Sequence, residues 1–229
     1  MAARHHVYLE RGTKRVFAGS IRWPGWARSG RDEASALEAL ARYGRRYASA
    51  LGRIAAAGEF RAPDGPSDLR VAERLTGNAS TDFGVPALAP KVDGGDLRGK
   101  ELDRQRALLQ ASWRAFDRAA RAASGKKLTK GPRGGGRELA AIVRHVMEAE
   151  SAYLAKLGGN YRKPAAAGGV DAEMTEVRRA LLDLLESLAR GEPPPRTPRS
   201  GSLWTPRYAI RRSAWHALDH AWEIEDRAR

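Results

Sequence analysis

Met174-Thr175-Glu176-Val177-Arg178-Arg179-Ala180-Leu181-Leu182-Asp183-Leu184-Leu185-Glu186-Ser187-Leu188 carries the clearest structural signal in the chain. Met174, Val177, Leu181, Leu184 and Leu188 recur in alternating steps of three and four, which places them along one side of an α-helix. This spacing predicts a helix over 171–190 with a single apolar stripe. A striped helix needs a partner for that stripe. The same period appears in three further stretches. Leu102, Leu109, Trp113, Phe116 and Ala120 mark a helix near 97–123. Leu139, Ile142, Val143, Val146, Tyr153, Leu154 and Leu157 mark one near 137–157, and Tyr208, Trp215, Leu218 and Trp222 one near 205–227. Four helices of similar length, each with one stripe, bury their apolar surface as a four-helix bundle over 97–229. The connections 124–136, 158–170 and 191–204 are long and rich in Gly or Pro, the kind of loop that more often carries function than merely connects.

The amino-terminal part reads differently. His6-Val7-Tyr8-Leu9-Glu10 and Arg15-Val16-Phe17-Ala18, separated by Arg11-Gly12-Thr13-Lys14, have the composition and loop length of a β-hairpin. Ile21-Arg22-Trp23 either extends the second strand or forms a third, stopped by Pro24-Gly25. A helix is expected over 33–47, capped by Asp32 or Ser29, with Ala36, Leu37, Leu40, Tyr43 and Tyr47 on one side. Val71 to Phe83 reads as a further strand region around a turn at Gly77-Asn78, and 84–96 as a linker. The expected fold class is therefore α+β: a small sheet-plus-helix unit over 1–90, then the bundle over 97–229.

Composition narrows the function classes. There is no cysteine, so disulfides, thiolate ligands and a cysteine nucleophile are excluded. No apolar run approaches the ~20 residues of a membrane span, and Met1 to Glu10 lacks a secretory apolar core. A cytoplasmic protein without a membrane partner is expected. The formal charge of +14 raises nucleic acid as a partner. The basic residues are mostly arginines scattered among acids rather than gathered in one stripe, which argues against it. Six tryptophans and long loops leave surface that a second copy can cover, so a homodimer is compatible with the sequence.

The five histidines matter most for chemistry. His5 and His6 sit near the chain start. His216 and His220 are four apart on a helix, so both imidazoles leave one face about 5–6 Å apart at Cβ, close enough to share an ion at roughly 2.0–2.1 Å. His145 lies on the flank of the 137–157 stripe. Such flank positions suit a site at the mouth of a bundle and suit half-exposed histidines equally well.

Arg144-His145-Val146-Met147-Glu148-Ala149-Glu150, followed by Trp215-His216-Ala217-Leu218-Asp219-His220, resembles the DinB/YfiT-like superfamily of metal-binding four-helix bundles. The resemblance implies that His145, His216 and His220 are ligands of a divalent metal, most often zinc or nickel, with an open position. It also implies a small-molecule substrate, including low-molecular-weight thiols, and thiol transfer or hydrolysis as the reaction. The sequence departs from the His-His-x-Gly-Gln ending of many members, since Asp219 precedes His220 and Ala221-Trp222-Glu223 follows. Asp219 is then either an orienting acceptor or a surface acid. Glu150, central in its stripe, needs a partner because a lone buried carboxylate is costly; it is either a proton-transfer group or paired with an arginine across the bundle. Glu223 is a candidate fourth ligand or base, with a solvated glutamate as the simpler reading. Arg133 and Arg137, in the basic Gly-rich run before the 137–157 helix, are candidates for anion or substrate binding. Finally, Trp23-Pro24-Gly25-Trp26, Gly30 and Glu33 to Leu40 resemble the HicB-type fold. That resemblance implies a short sheet carrying one helix and brings no catalytic residue. It supports an alternative in which the chain is a non-catalytic protein- or nucleic-acid-binding regulatory module.

Overall fold

The computed structural model describes residues 5–54, 60–130, 136–161, 168–197 and 202–228. Strands β1 (His5–Arg11) and β2 (Val16–Ser20) pair antiparallel with Leu9 opposite Ala18. β3 (Ala27–Gly30) adds to β2, and β4 (Leu69–Thr76) lies parallel to β1, giving the order β3-β2-β1-β4. The third strand is thus not Ile21-Arg22-Trp23. Those residues and Pro24-Gly25 form a turn in which Gly25 takes φ +89°, a conformation that favours glycine, and a Cβ there would press within 3.0 Å of Leu218 Cδ1.

Between β3 and β4 the chain is helical. α1 (Glu33–Arg42) is capped by Asp32, whose carboxylate accepts from the Ser35 amide at 2.8 Å. The helix expected to continue to 47 breaks at Tyr43, and α2 (Gly44–Leu51) starts afresh. Gly44 packs on Pro63, where a Cβ would come within 2.5 Å of Cδ. After β4, Asn78 and Thr81 form a reciprocal cap that opens α3 (Ala79–Phe83), a short helix where a strand was expected.

Residues 84–96, rich in Pro and Gly, are tied down. The buried Glu10 carboxylate accepts from the Ala87 and Leu88 amides at 2.9 and 3.1 Å. Tyr208 donates to the Ala87 carbonyl at 2.7 Å. Arg211 grips Asp93 with two hydrogen bonds, 2.6 and 2.8 Å, and also donates to the carbonyls of Ser20 and Ile21.

The four long helices are α4 (Gly99–Ala122), α5 (Leu139–Lys156), α6 (Gly169–Ala189) and α7 (Pro206–Arg227). Their limits lie within two residues of those read from periodicity. Trp113 and Phe116, Ile142 and Val146, Leu181 and Leu185, and Ile210 and Ile224 meet in one core cluster. α7 is central, buried on more than one side. Ala214, Ala217 and Ala221 face the bundle core, whereas Leu218 and Trp222 join Val7, Leu9, Trp26 and Leu40 in a second cluster. Leu218 and Trp222 of α7 therefore turn toward the amino-terminal unit, while Ile210 and Ile224 fill the bundle core and the alanines between them let the bundle helices approach. Among the described residues no helix is long and apolar enough to cross a membrane.

Candidate metal centre

α5 and α7 pack side by side and bring His145, His216 and His220 together. One ligand nitrogen from each lies within 4.8 Å of the other two. The rings stand 4.6 to 5.0 Å apart between centroids and nearly edge to face. His145 Nε2 and His216 Nε2 are 3.3 Å apart. Two nitrogens bound tetrahedrally to one ion at ~2.05 Å stand ~3.3 Å from each other. The spacing fits a shared cation.

The electrostatics favour the ligand form. Burial holds His216 well below its ordinary pKa, and the neighbouring His220 and His145 push the same way. Burial also lowers His145, with His220 and Arg137 contributing. A neutral imidazole keeps the lone pair that a metal requires. Three nitrogen donors and no thiolate suit zinc, nickel, copper or iron rather than magnesium or calcium.

Glu223 fixes one ligand. Its Oε2 lies 2.7 Å from His220 Nδ1, which leaves Nε2 to face the other rings. Its Oε1 is held by Arg227, and the His220 contact is the main cause of its lowered pKa. Arg227 in turn donates to the carbonyls of Thr129 and Arg137 at 2.8 and 2.9 Å, so the same network anchors described parts of the 124–136 connection. With both oxygens engaged, Glu223 stands behind His220 as a positioning residue. Glu223→Ala is expected to weaken zinc binding about 10- to 100-fold, read by competition with a chromophoric chelator.

The other sequence candidates separate. Glu150 lies in the bundle interior, where Arg178 donates to both its oxygens (2.8 and 3.2 Å) and also to Asp117 at 2.9 Å. Burial raises its pKa while Arg178 opposes the shift. This is the cross-bundle arginine pair, apart from the histidines. Asp219 accepts from Arg28 at 2.7 Å and orients no ligand ring. Arg28 itself lies over Tyr43, 4.0 Å from the ring centre. Arg137 is exposed and near enough to depress both His145 and His216. Arg133 lies outside the described residues.

Sequence reasoning missed the residues around the ligands. Arg212 sits one turn before His216, and Tyr153 two turns after His145, 5.8 Å from the His216 ring between centroids. Their i, i+4 and i, i+8 spacings from the histidines were the available signal.

Residues 108–224 match the family model described as the DinB superfamily. Neither a curated protein nor a solved structure matches the chain significantly. The matched span covers more than half of the 229 residues and contains all three imidazoles; the chain belongs to the DinB superfamily.

Proposed function

We propose that this chain is a cytoplasmic divalent-metal protein, with zinc or nickel on His145, His216 and His220, that acts on a small molecule as a thiol transferase or hydrolase. The convergence of three imidazole nitrogens carries this reading. A metal held there would supply Lewis-acid activation of a thiol or water near neutral pH. The chain's own residues do the rest. Glu223 orients His220, burial keeps His216 neutral, and the exposed Arg137 adds positive charge beside the centre to attract an anionic reactant. A low-molecular-weight thiol is the co-substrate this reading favours.

For the amino-terminal unit we propose a HicB-like fold. The order β3-β2-β1-β4 and the helical passage from β3 to β4 support that likeness. Much of its sheet is buried against α1, α2 and α7, which favours a supporting role over the alternative of a nucleic-acid- or protein-binding module.

The test is a panel assay on zinc- and nickel-loaded full-length protein. Low-molecular-weight thiols are offered with 1-chloro-2,4-dinitrobenzene in one arm and activated esters are offered alone in the other. Turnover in either arm, falling at least 100-fold in His216→Ala, is the expected result. Loaded protein silent in both arms, or turnover indifferent to the substitution, overturns the reading.

A further inference from the structure

Four buried side-chain atoms between 212 and 216 have no hydrogen-bond partner among the described residues: Arg212 Nη1, Ser213 Oγ, Trp215 Nε1 and His216 Nδ1. Buried polar groups are nearly always partnered, so such a concentration marks a place that something else completes. Arg212 is the decisive member. Its residue is 6% exposed, yet no described carboxylate lies within ion-pair distance of it. The other two buried arginines among the described residues have acids: Arg211 pairs with Asp93, and Arg227 with Glu223. A buried guanidinium without a counter-charge is costly, and a bound anion removes that cost.

The surroundings define which anion. The guanidinium carbon of Arg212 lies 4.9 Å from the centre of the Trp215 ring and 5.5 Å from that of Tyr153. Arg212 Nη2 donates to Tyr153 Oη at 3.3 Å. Because that hydroxyl accepts from Arg212, its own proton is left to be given away. Nη1–H and the Tyr153 O–H are thus two neighbouring donors, which suits the two oxygens of one carboxylate. A phosphate dianion asks for more donors and more charge. Trp204 lies tilted beside Tyr153 with ring centres 5.2 Å apart, meets Tyr208 edge to face at 4.8 Å, and gives an apolar wall. Tyr153 also contacts His216 edge-on, so an anion here lies within one small molecule of the histidines.

We infer that Arg212 and Tyr153 form a carboxylate-binding subsite beside the three-histidine centre, so that the small molecule handled there bears a carboxylate. The placement relative to the reacting group rests on the proposed metal function; the subsite itself does not. Its geometry gives substrate selection to a buried arginine and leaves activation to the imidazoles.

Two binding experiments on the full-length protein test this. In the first, metal-free protein is titrated with propionate and with methyl propionate, read by tryptophan fluorescence, since Trp215 and Trp204 flank the subsite. Propionate is expected to quench and its ester not to, with affinity falling at least tenfold in Arg212→Gln. In the second, zinc-loaded protein is titrated calorimetrically with 3-mercaptopropionate and its methyl ester. The acid is expected to bind at least tenfold tighter, and the ratio to fall toward one in Arg212→Gln. Tyr153→Phe removes only a hydroxyl and keeps the test open should the arginine variant misfold; a loss of threefold or more is expected. Equal binding of acid and ester, indifference to both substitutions, or tighter binding of inorganic phosphate than of propionate would overturn the inference. Since the first experiment needs no metal, failure of the metal reading and failure of the subsite show up separately.

Discussion

His216→Ala is expected to strip the protein of its metal. His216 is the most deeply buried of the three imidazoles and supplies Nε2 3.3 Å from that of His145. Removing it leaves His145 and His220 on different helices, with an opening where the third nitrogen stood. The loss should exceed the 10- to 100-fold that follows removal of an outer-shell partner. Untagged wild-type protein is expected to carry close to one zinc or nickel per chain by inductively coupled plasma mass spectrometry, and the variant less than about a tenth of that. Thermal unfolding gives an independent reading. Metal at about 100 times its dissociation constant stabilises a folded protein by ~2.7 kcal/mol, so added zinc should raise the wild-type Tm and leave the variant nearly unmoved. Metal retained by the variant would mean that other groups hold it.

The second large effect is structural. Arg211→Met leaves the Asp93 carboxylate, 1% exposed, without its two hydrogen bonds, and also releases the carbonyls of Ser20 and Ile21. Breaking one half of a buried ion pair costs about 3–5 kcal/mol. In a chain of this size each kcal/mol lowers Tm by roughly 2–4 °C, so a fall on the order of 6–20 °C is expected. The double replacement Arg211→Met with Asp93→Leu removes both charges and should recover most of the loss. A single variant within ~1 kcal/mol of wild type in urea unfolding would show that the pair does not hold 84–96 and the sheet turn against α7.

The bundle was legible because each long helix carries a stripe that only a helix explains. Met174 to Leu188 predicts α6 to within two residues, as the other stripes do α4, α5 and α7. Short-range contests were harder to read. Gly44 opens α2 where a Cβ would run into Pro63, nineteen residues on in sequence. The cap at Asn78 turns an expected strand into α3 through one reciprocal pair of hydrogen bonds. Hydrophobic weight also misdirected the reading of α7. Trp215, Leu218 and Trp222 mark the face toward the amino-terminal unit, and the bundle face sets alanines that carry little signal between Ile210 and Ile224.

The site followed the same division. His145, His216 and His220 are rare residues at informative spacing, and the structure brings them together. Glu223 was visible as a neighbour of His220, but its engagement by Arg227 depends on the turn after. Arg212 stands one helical turn before His216, but in a strongly basic chain that spacing alone does not single it out. What distinguishes it is burial without an acidic partner, a property of packing rather than of residue type.

The most direct test of the account is X-ray absorption at the zinc edge on protein reconstituted with one equivalent of zinc. Three imidazole nitrogens at about 2.0–2.1 Å, with the outer-ring scattering of histidine, are expected alongside one further oxygen or nitrogen donor. A shell of oxygens alone, or a single imidazole, would contradict the convergence of His145, His216 and His220 on one ion.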